Sequence, residues 1–269
     1  MEYKLTEINI YPVKSLAGIS LHSSEVTDRG LKYDRRWMVV DKHGKFLTQR
    51  THPQMALIST IIKDRILTLA HKSKFITPLS FMIDKAINDE INVVVWSDTV
   101  KALSVGKKTD EWLSAAMNME CRLVYMPEES RRLVDRRYSG KDDVVSFADA
   151  YPFLIIGEQS LNDLNSRLTE KVPMNRFRPN FVFGGGKAYD EDKWKKFRIG
   201  EIVFDVVKPC SRCVVTTVNQ DTAEKGDEPL RTLASYRTSG NNVNFGQNLI
   251  HEGTGAIELS DKLEILEWK

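Results

Sequence analysis

Short runs of β-branched and aromatic residues recur along this chain, each closed by a turn cluster, and they restrict it to a strand-rich fold. Tyr3 to Tyr11 carries Leu5, Ile8 and Ile10 and reads as a strand, followed by the basic turn Pro12-Val13-Lys14-Ser15-Leu16-Ala17-Gly18. Arg36 to Val40 and Lys45 to Gln49 flank Asp41-Lys42-His43-Gly44, a hairpin signal. Leu57 to Ile62 and Ile66 to Ala70 flank a turn at Lys63-Asp64-Arg65, and Ile91 to Trp96 pairs naturally with Thr99 to Val105. Cys121 to Met126, Pro152 to Ile156, Asn180 to Phe183, Ile199 to Val207 and Val214 to Val218 continue the pattern, and Ala256 to Leu266 ends it as one or two strands.

Helical spacing is rare by comparison. Asp110 to Asn118 places Trp112, Leu113, Ala116 and Met117 on one face, with Thr109 as the expected N-cap. Glu158 to Leu168 repeats Leu161, Leu164 and Leu168, and Pro229 to Tyr236 opens with proline in its first turn. Residues 127 to 148 are polar and rich in arginine, include Gly140 and an acidic pair, and read as a linker or mobile loop. Many short strands with a few short helices give an α+β, β-rich protein built on a β-barrel.

A chain of 269 residues holds one large or two modest domains. Its charge of +2 is nearly balanced and gives no reason to expect nucleic-acid binding. Three cysteines are too few for a disulfide scaffold. The first thirty residues contain acidic groups and no apolar run, so no signal peptide is expected. No apolar stretch approaches the ~20 residues of a membrane span. These features lead us to expect a soluble, cytoplasmic protein with free thiols.

The strongest local motif is Cys210-x-x-Cys213, with Lys208 and Arg212 beside it. Cationic neighbours favour the thiolate, the form that attacks electrophiles and binds metals. Three chemical readings compete with a plain structural pair. A zinc half-site needs a second ligand pair, and the five histidines show no such spacing. A redox pair wants the motif at the start of a helix, whereas the sequence after Cys213 reads as a strand. The third reading presents one thiolate to a soft metal centre. Cationic turns form a second signal: Lys14-Ser15, Asp34-Arg35-Arg36-Trp37, Arg50 and Arg178-Pro179-Asn180 carry the forks and point charges that grip oxyanions. Any one of them alone also fits ordinary solvated charge. Asn244-Phe245-Gly246-Gln247-Asn248 reads as a glycine-centred loop, and Gly184-Gly185-Gly186 lacks the residues of a phosphate-binding loop.

Taken in order, Tyr11-Pro12-Val13-Lys14-Ser15, Asp34-Arg35-Arg36-Trp37, Asn175 to Asn180, Pro209 to Val218 and Asn244 to Asn248 resemble the MOSC-domain proteins with their N-terminal β-barrel partner domain. The resemblance implies an N-terminal MOSC-associated domain over 1–126 and a MOSC domain over 127–269. It implies a molybdenum cofactor, a pterin dithiolene with a phosphate. Cys213 would be the protein ligand to molybdenum. Lys14, Ser15 and Arg35 match positions near the phosphate, Arg178 and Asn180 match the pterin side, and Asp149 approaches the metal as a catalytic residue. Cys210 would be structural or supporting.

Ala150-Tyr151 and Ser260-Asp261 depart from the family pattern, the first at the pocket and the second in a local turn. The implied activity is two-electron reduction of small N-hydroxylated substrates. Electrons would come from a separate flavoprotein or haem protein, docked on the arginines of 131–137, with no membrane or nucleic-acid partner. The alternative is a cofactor or sulfur (persulfide) carrier without turnover.

Overall fold

The computed structural model describes residues 2–83, 89–139 and 142–269. At its centre the strand Phe153–Gly157 runs parallel to Phe181–Gly184. Parallel neighbours need a crossover, and the helix Glu158–Ser166 supplies it, burying Leu164. From Phe181–Gly184 the sheet continues through Tyr3–Ile10, Lys262–Trp268, Trp194–Ile199, Ile202–Ser211 and Asn242–Glu252. The last of these pairs back onto Phe153–Gly157, which closes a barrel of 7 strands. Both ends of the chain therefore contribute barrel staves.

Alternation along these strands aims aromatic rings inward. Phe153 stacks on Phe181 at 5.3 Å between centroids, Phe197 stacks on Phe204 at 5.3 Å, and Phe153 meets Phe204 edge-on at 5.4 Å. Such pairs add about 0.5–1.5 kcal/mol each beyond the area they bury. Leu5, Ile8, Trp194, Ile199 and Leu249 complete this core.

A second body carries Trp37–Asp41, Cys121–Tyr125, Asp98–Ser104 and Glu90–Val95 as one antiparallel sheet. Ile58–Lys63, Ile66–His71 and Leu79–Met82 form another. The helix Lys107–Met117 covers Cys121–Tyr125 with Trp112, Leu113, Ala116 and Met117, the face expected from their spacing. A small sheet of Gly255–Glu258, Ser23–Thr27 and Gly30–Leu31 ties the C-terminal segment to the N-terminal one.

Several expectations need correction. The helix starts at Lys107, not Asp110. Its cap is Gly106, whose carbonyl receives the Thr109 and Asp110 amides, and Thr109 lies inside the helix. Lys45–Gln49 is not a strand. The Asp41 turn exists, with Asp41 Oδ1 accepting from the His43 and Lys45 amides at 2.8 and 2.9 Å. Beyond it only isolated bridges remain, Phe46 to Val40 and Lys45 to Val94, with the Leu47 amide donating to the Val39 carbonyl; pairing then stops, and buried Gln49 binds the Ser15 carbonyl. Val214–Thr217 is a 3-10 turn, since the Thr216 and Thr217 hydroxyls bond back to the Cys213 and Val214 carbonyls at 3.0 and 2.9 Å.

The strand expected at Ile199–Val207 begins at Ile202 and reaches Ser211, while Trp194–Ile199 is a strand of its own. Asn244–Asn248 is not a loop but the middle of the 11-residue strand Asn242–Glu252. The described parts of the 127–148 span, 127–139 and 142–148, are packed rather than a linker: Val134, Val145 and Phe147 are buried and Leu133 bridges to Val144. Gly140 lies outside the described residues. Among the described residues, no helix is long and apolar enough to cross a membrane.

Candidate functional site

Where the barrel end meets the Trp37–Asp41 body, a cleft of about 840 Å³, its open mouth included, collects residues from seven stretches of chain. Lys14 and Ser15 come from the turn after the first strand, Arg35 from the turn before Trp37, Asp149 from the 146–149 loop, Arg178 and Asn180 from the approach to Phe181, and Cys213 from the end of Ile202–Ser211. Every site residue expected from sequence lines this one cleft. Arg50 and Arg212 join them.

Three of these residues sit in the left-handed backbone region: Ser15 at φ 67°, Arg35 at φ 49° and Arg178 at φ 56°. A side-chain-bearing residue loses about 1–2 kcal/mol there, so the surrounding bonds must hold it. They do. The Arg35 guanidinium donates to Asp34 Oδ2 at 2.6 Å, Asn180 Oδ1 at 3.1 Å and the Arg178 carbonyl at 3.2 Å. Asn180 is 1% exposed; its amide donates to the Asn9 carbonyl at 3.1 Å, and its Oδ1 also accepts from the Leu154 amide. Asn180 therefore fixes Arg35 and the cleft wall, with its polar atoms spent on protein partners. The Arg35 and Arg178 guanidiniums both lie over the Tyr11 ring, at 4.3 and 4.1 Å from its centroid.

Arg178 differs from Arg35 in one respect. Among the described residues its Nη2 is buried without a hydrogen-bond partner, and burial lowers the group to about 10. An unpaired buried donor costs about 1–3 kcal/mol, and a ligand oxygen in the cleft would relieve that cost. Arg212 leaves its Nε in the same condition.

Lys14 is 4% exposed and donates to Asp149 Oδ1 at 2.6 Å and the Phe147 carbonyl at 2.7 Å. Burial brings its ammonium down to about 8, with Asp149 opposing the shift. The Asp149 side chain opens onto the cleft, 62% accessible. Partial enclosure raises its carboxyl, but Lys14, then Arg50 and the Trp96 indole N–H, outweigh this and hold it below the ordinary carboxylate range. Asp149 is thus an ionised acceptor aimed into the cleft. Behind it, Arg132 donates to the carbonyls of Ser146, Ala148 and Asp149 and bonds Asp98 at 2.7 Å.

The two cysteines are free and half-buried. Arg50 Nη1 lies 3.8 Å from Cys213 Sγ, and Arg212 Nη1 lies 3.0 Å from Cys210 Sγ. Lys208 does not line the cleft; its ammonium sits over Tyr138 at 4.9 Å and Tyr151 at 6.0 Å. Nor is the 131–137 cluster a free basic face. Arg132 is buried, Arg136 pairs with Asp142 and Arg137 with Asp135. Sequence reasoning missed Trp96, whose indole N–H donates to Asp149 Oδ1 at 3.2 Å and whose ring carries Arg50 at 4.2 Å. Its position at a hairpin tip gave no signal of its own.

The residues fit an anionic ligand. Five cationic side chains, Lys14, Arg35, Arg50, Arg178 and Arg212, face one carboxylate in the lining. Among the described residues no three His, Cys, Asp or Glu side chains converge, so a metal held here would bring further ligands with it. Cys213 is a soft donor suited to such a centre.

Residues 2–120 match the MOSC N-terminal beta barrel domain, and residues 142–264 match the MOSC domain. Mitochondrial amidoxime-reducing component 1 of Mus musculus is 34% identical over 281 residues, 97% of this chain and 82% of that one. The chain belongs to the MOSC-domain family. The Homo sapiens amidoxime-reducing component 1 is 33% identical over the same shares, 97% and 82%. The molybdenum cofactor sulfurase of Oryza sativa subsp. japonica is 35% identical over 92% of this chain but only 32% of its own length. In MOSC terms, the cleft lies at the junction of the segments matched by the two families.

Proposed function

We propose that this MOSC protein is a molybdenum-cofactor-dependent oxidoreductase that reduces N-hydroxylated compounds, such as hydroxylamines or amidoximes, by two electrons. The observation that carries the reading is the convergence, in one cationic cleft, of a free Cys213 thiol, the ionised Asp149 and the unpartnered Nη2 of Arg178. Relatives named amidoxime-reducing component and molybdenum cofactor sulfurase support the cofactor.

In this reading Cys213 holds the molybdenum, while Arg178, Arg35 and Ser15 hold the anionic pterin end. The cofactor supplies two-electron redox chemistry at its metal. Asp149, fixed by Lys14 and Trp96, accepts a hydrogen bond from the substrate N–H or O–H and orients it. Lys14 serves as the partner of Asp149 more than as a phosphate anchor, since both of its short contacts are to protein oxygens. Electrons come from a separate flavoprotein or haem protein, and we place the reaction in the cytoplasm.

The test is expression in a host that makes the molybdenum cofactor. Molybdenum and released pterin are measured per chain for wild type and Cys213→Ala, and hydroxylamine reduction is followed with reduced methyl viologen as donor. Near-stoichiometric metal with turnover, both lost in the variant, is expected. A wild type without metal or pterin from a proven host sinks the reading.

A second reading, a cofactor or sulfur carrier in which Cys213 bears the persulfide or holds the cofactor in transit, draws on the free Cys213 thiol in the cleft, with Cys210 nearby against Arg212. It predicts cyanide-releasable sulfur on the chain and no turnover.

A further inference from the structure

Among the cations of the cleft, and among the described residues, Arg50 is the one whose guanidinium reaches the Cys213 sulfur. Arg35 is held by Asp34, and Lys14 by Asp149. Among the described residues, the Arg50 guanidinium is held by an aromatic face and a sulfur instead of a carboxylate. It stacks 4.2 Å over Trp96, and its Nη1 reaches to 3.8 Å from Cys213 Sγ. Trp96 is itself anchored. Its indole N–H donates to Asp149 Oδ1, its ring packs 5.2 Å from Phe46, and its backbone takes φ 56° at the tip of the hairpin between Glu90–Val95 and Asp98–Ser104. The Arg50 carbonyl accepts from Lys225 at 2.6 Å, which pins the turn from the other side. The result is a guanidinium with a fixed direction and unspent donors, placed on the cysteine side of the cleft. Arg178 and Arg35 occupy the Tyr11 side.

We propose that Arg50 is a catalytic residue that binds the oxygen leaving the substrate nitrogen, and that Trp96 is the positioning residue that aims it. The proposal rests on the reductase reading above. In the reaction R–NH–OH + 2 e⁻ + 2 H⁺ → R–NH₂ + H₂O the N–O bond breaks, nitrogen is reduced and the oxygen departs as water. The electrons come from the separate donor protein and the protons from solvent. Negative charge gathers on that oxygen before its protonation is complete. A preorganised guanidinium stabilises such charge without reorganising at the moment of reaction. Stacking on Trp96 removes the side-chain freedom that a lone arginine would lose on engaging it.

The first measurement uses cofactor-free protein in a Cys210→Ser background. Cys213 is alkylated with anionic iodoacetate and with neutral iodoacetamide at one pH, and the ratio of the two rates is taken. Both reagents consume the same thiolate, so the ratio reads the local positive field and not the thiol's ionisation. Arg50→Met is expected to lower the ratio about fivefold or more, Trp96→Leu about two- to threefold, and Arg50→Lys little, as a nearby unit charge dictates. The second uses loaded protein. Arg50→Met should keep molybdenum and pterin at the wild-type level and lose about 100-fold in kcat with little change in KM, the range seen when one such donor is removed.

An unchanged alkylation ratio in Arg50→Met overturns the proposal. So does loss of cofactor with Arg50, which would make it an anchor, and so does wild-type turnover in the loaded variant. The reductase reading fails separately, through a wild type that binds no cofactor or reduces no hydroxylamine while the alkylation ratio still responds to Arg50.

Discussion

Lys14 and Asp149 are 135 residues apart in the chain and meet at 2.6 Å across the cleft. The pair is lopsided: the lysine side chain is 5% accessible and the aspartate 62%. Loss of the accessible partner strands a buried ammonium, whereas loss of the lysine leaves a carboxylate that water can solvate. Asp149→Asn is therefore expected to cost the cofactor-free protein about 2 kcal/mol, and Lys14→Met less than about 1 kcal/mol. Urea unfolding of the two variants at pH 6, below the Lys14 titration, checks the order. Equal losses would mean that the pair behaves as a surface contact.

Arg178 carries the opposite trade. Its unpartnered Nη2 is a liability without ligand. Arg178→Met should stabilise the cofactor-free protein by about 1 kcal/mol, since a buried unpaired donor disappears. The same change should weaken pterin retention at least about tenfold, the worth of one charge-assisted hydrogen bond. Thermal unfolding and released pterin per chain measure both effects. A destabilised variant with full pterin content would refute the assignment of Arg178 to the ligand.

Glu191, which does not line the cleft, gives a pH signature of its own. It is 0% exposed and accepts from Ser160 Oγ and the Gly157 amide. Burial raises its carboxyl to about 7, against those hydrogen bonds. The folded protein thus binds this proton more tightly than the unfolded chain, in which the group titrates near 4.5. That stability is complete below about 4.5, shrinks as pH rises and is gone above about 7, a span of up to about 3 kcal/mol. Wild type should lose stability to denaturant between pH 5 and 8, and Glu191→Gln should flatten that slope. Parallel profiles would show that Glu191 does not titrate there.

Gly246 is where the strand Asn242–Glu252 meets Phe153–Gly157. It has φ 78°, and an added Cβ would lie 2.6 Å from Ile156 Cγ1 and 2.8 Å from the Ile155 carbonyl. Gly246→Ala is expected to cost about 2–4 kcal/mol, from left-handed strain and overpacking together. Because the contact closes the barrel, amide exchange should quicken first at Leu154 to Ile156. A mild, uniform effect would mean that the closing seam tolerates the methyl group.

Much of the strand pattern was legible because alternation and turn residues are local signals. Ile58–Lys63, Ile66–His71, Glu90–Val95 and Asp98–Ser104 fall within a residue or two of their expected limits. Errors came where side chains answer to distant partners. The Thr216 and Thr217 hydroxyls convert a β-branched run into a 3-10 turn. Asn244 to Asn248 looks polar enough for a loop, yet Gln247 is 0% exposed and bonds Asp192, in the 3-10 turn Asp190–Lys193, at 2.6 Å.

The sequence by itself determined the strand-rich class and the residue types of the cleft, since cationic turns and a cysteine pair are written in consecutive residues. Only the tertiary structure decided which charge serves which group. It set Lys14 against Asp149, Arg212 against Cys210, Lys208 over Tyr138, and Arg50, carried on Trp96, beside Cys213. The physical reason is that a charged side chain is placed by its desolvation and by partners from other strands. Neither quantity exists until the barrel closes and brings those strands together.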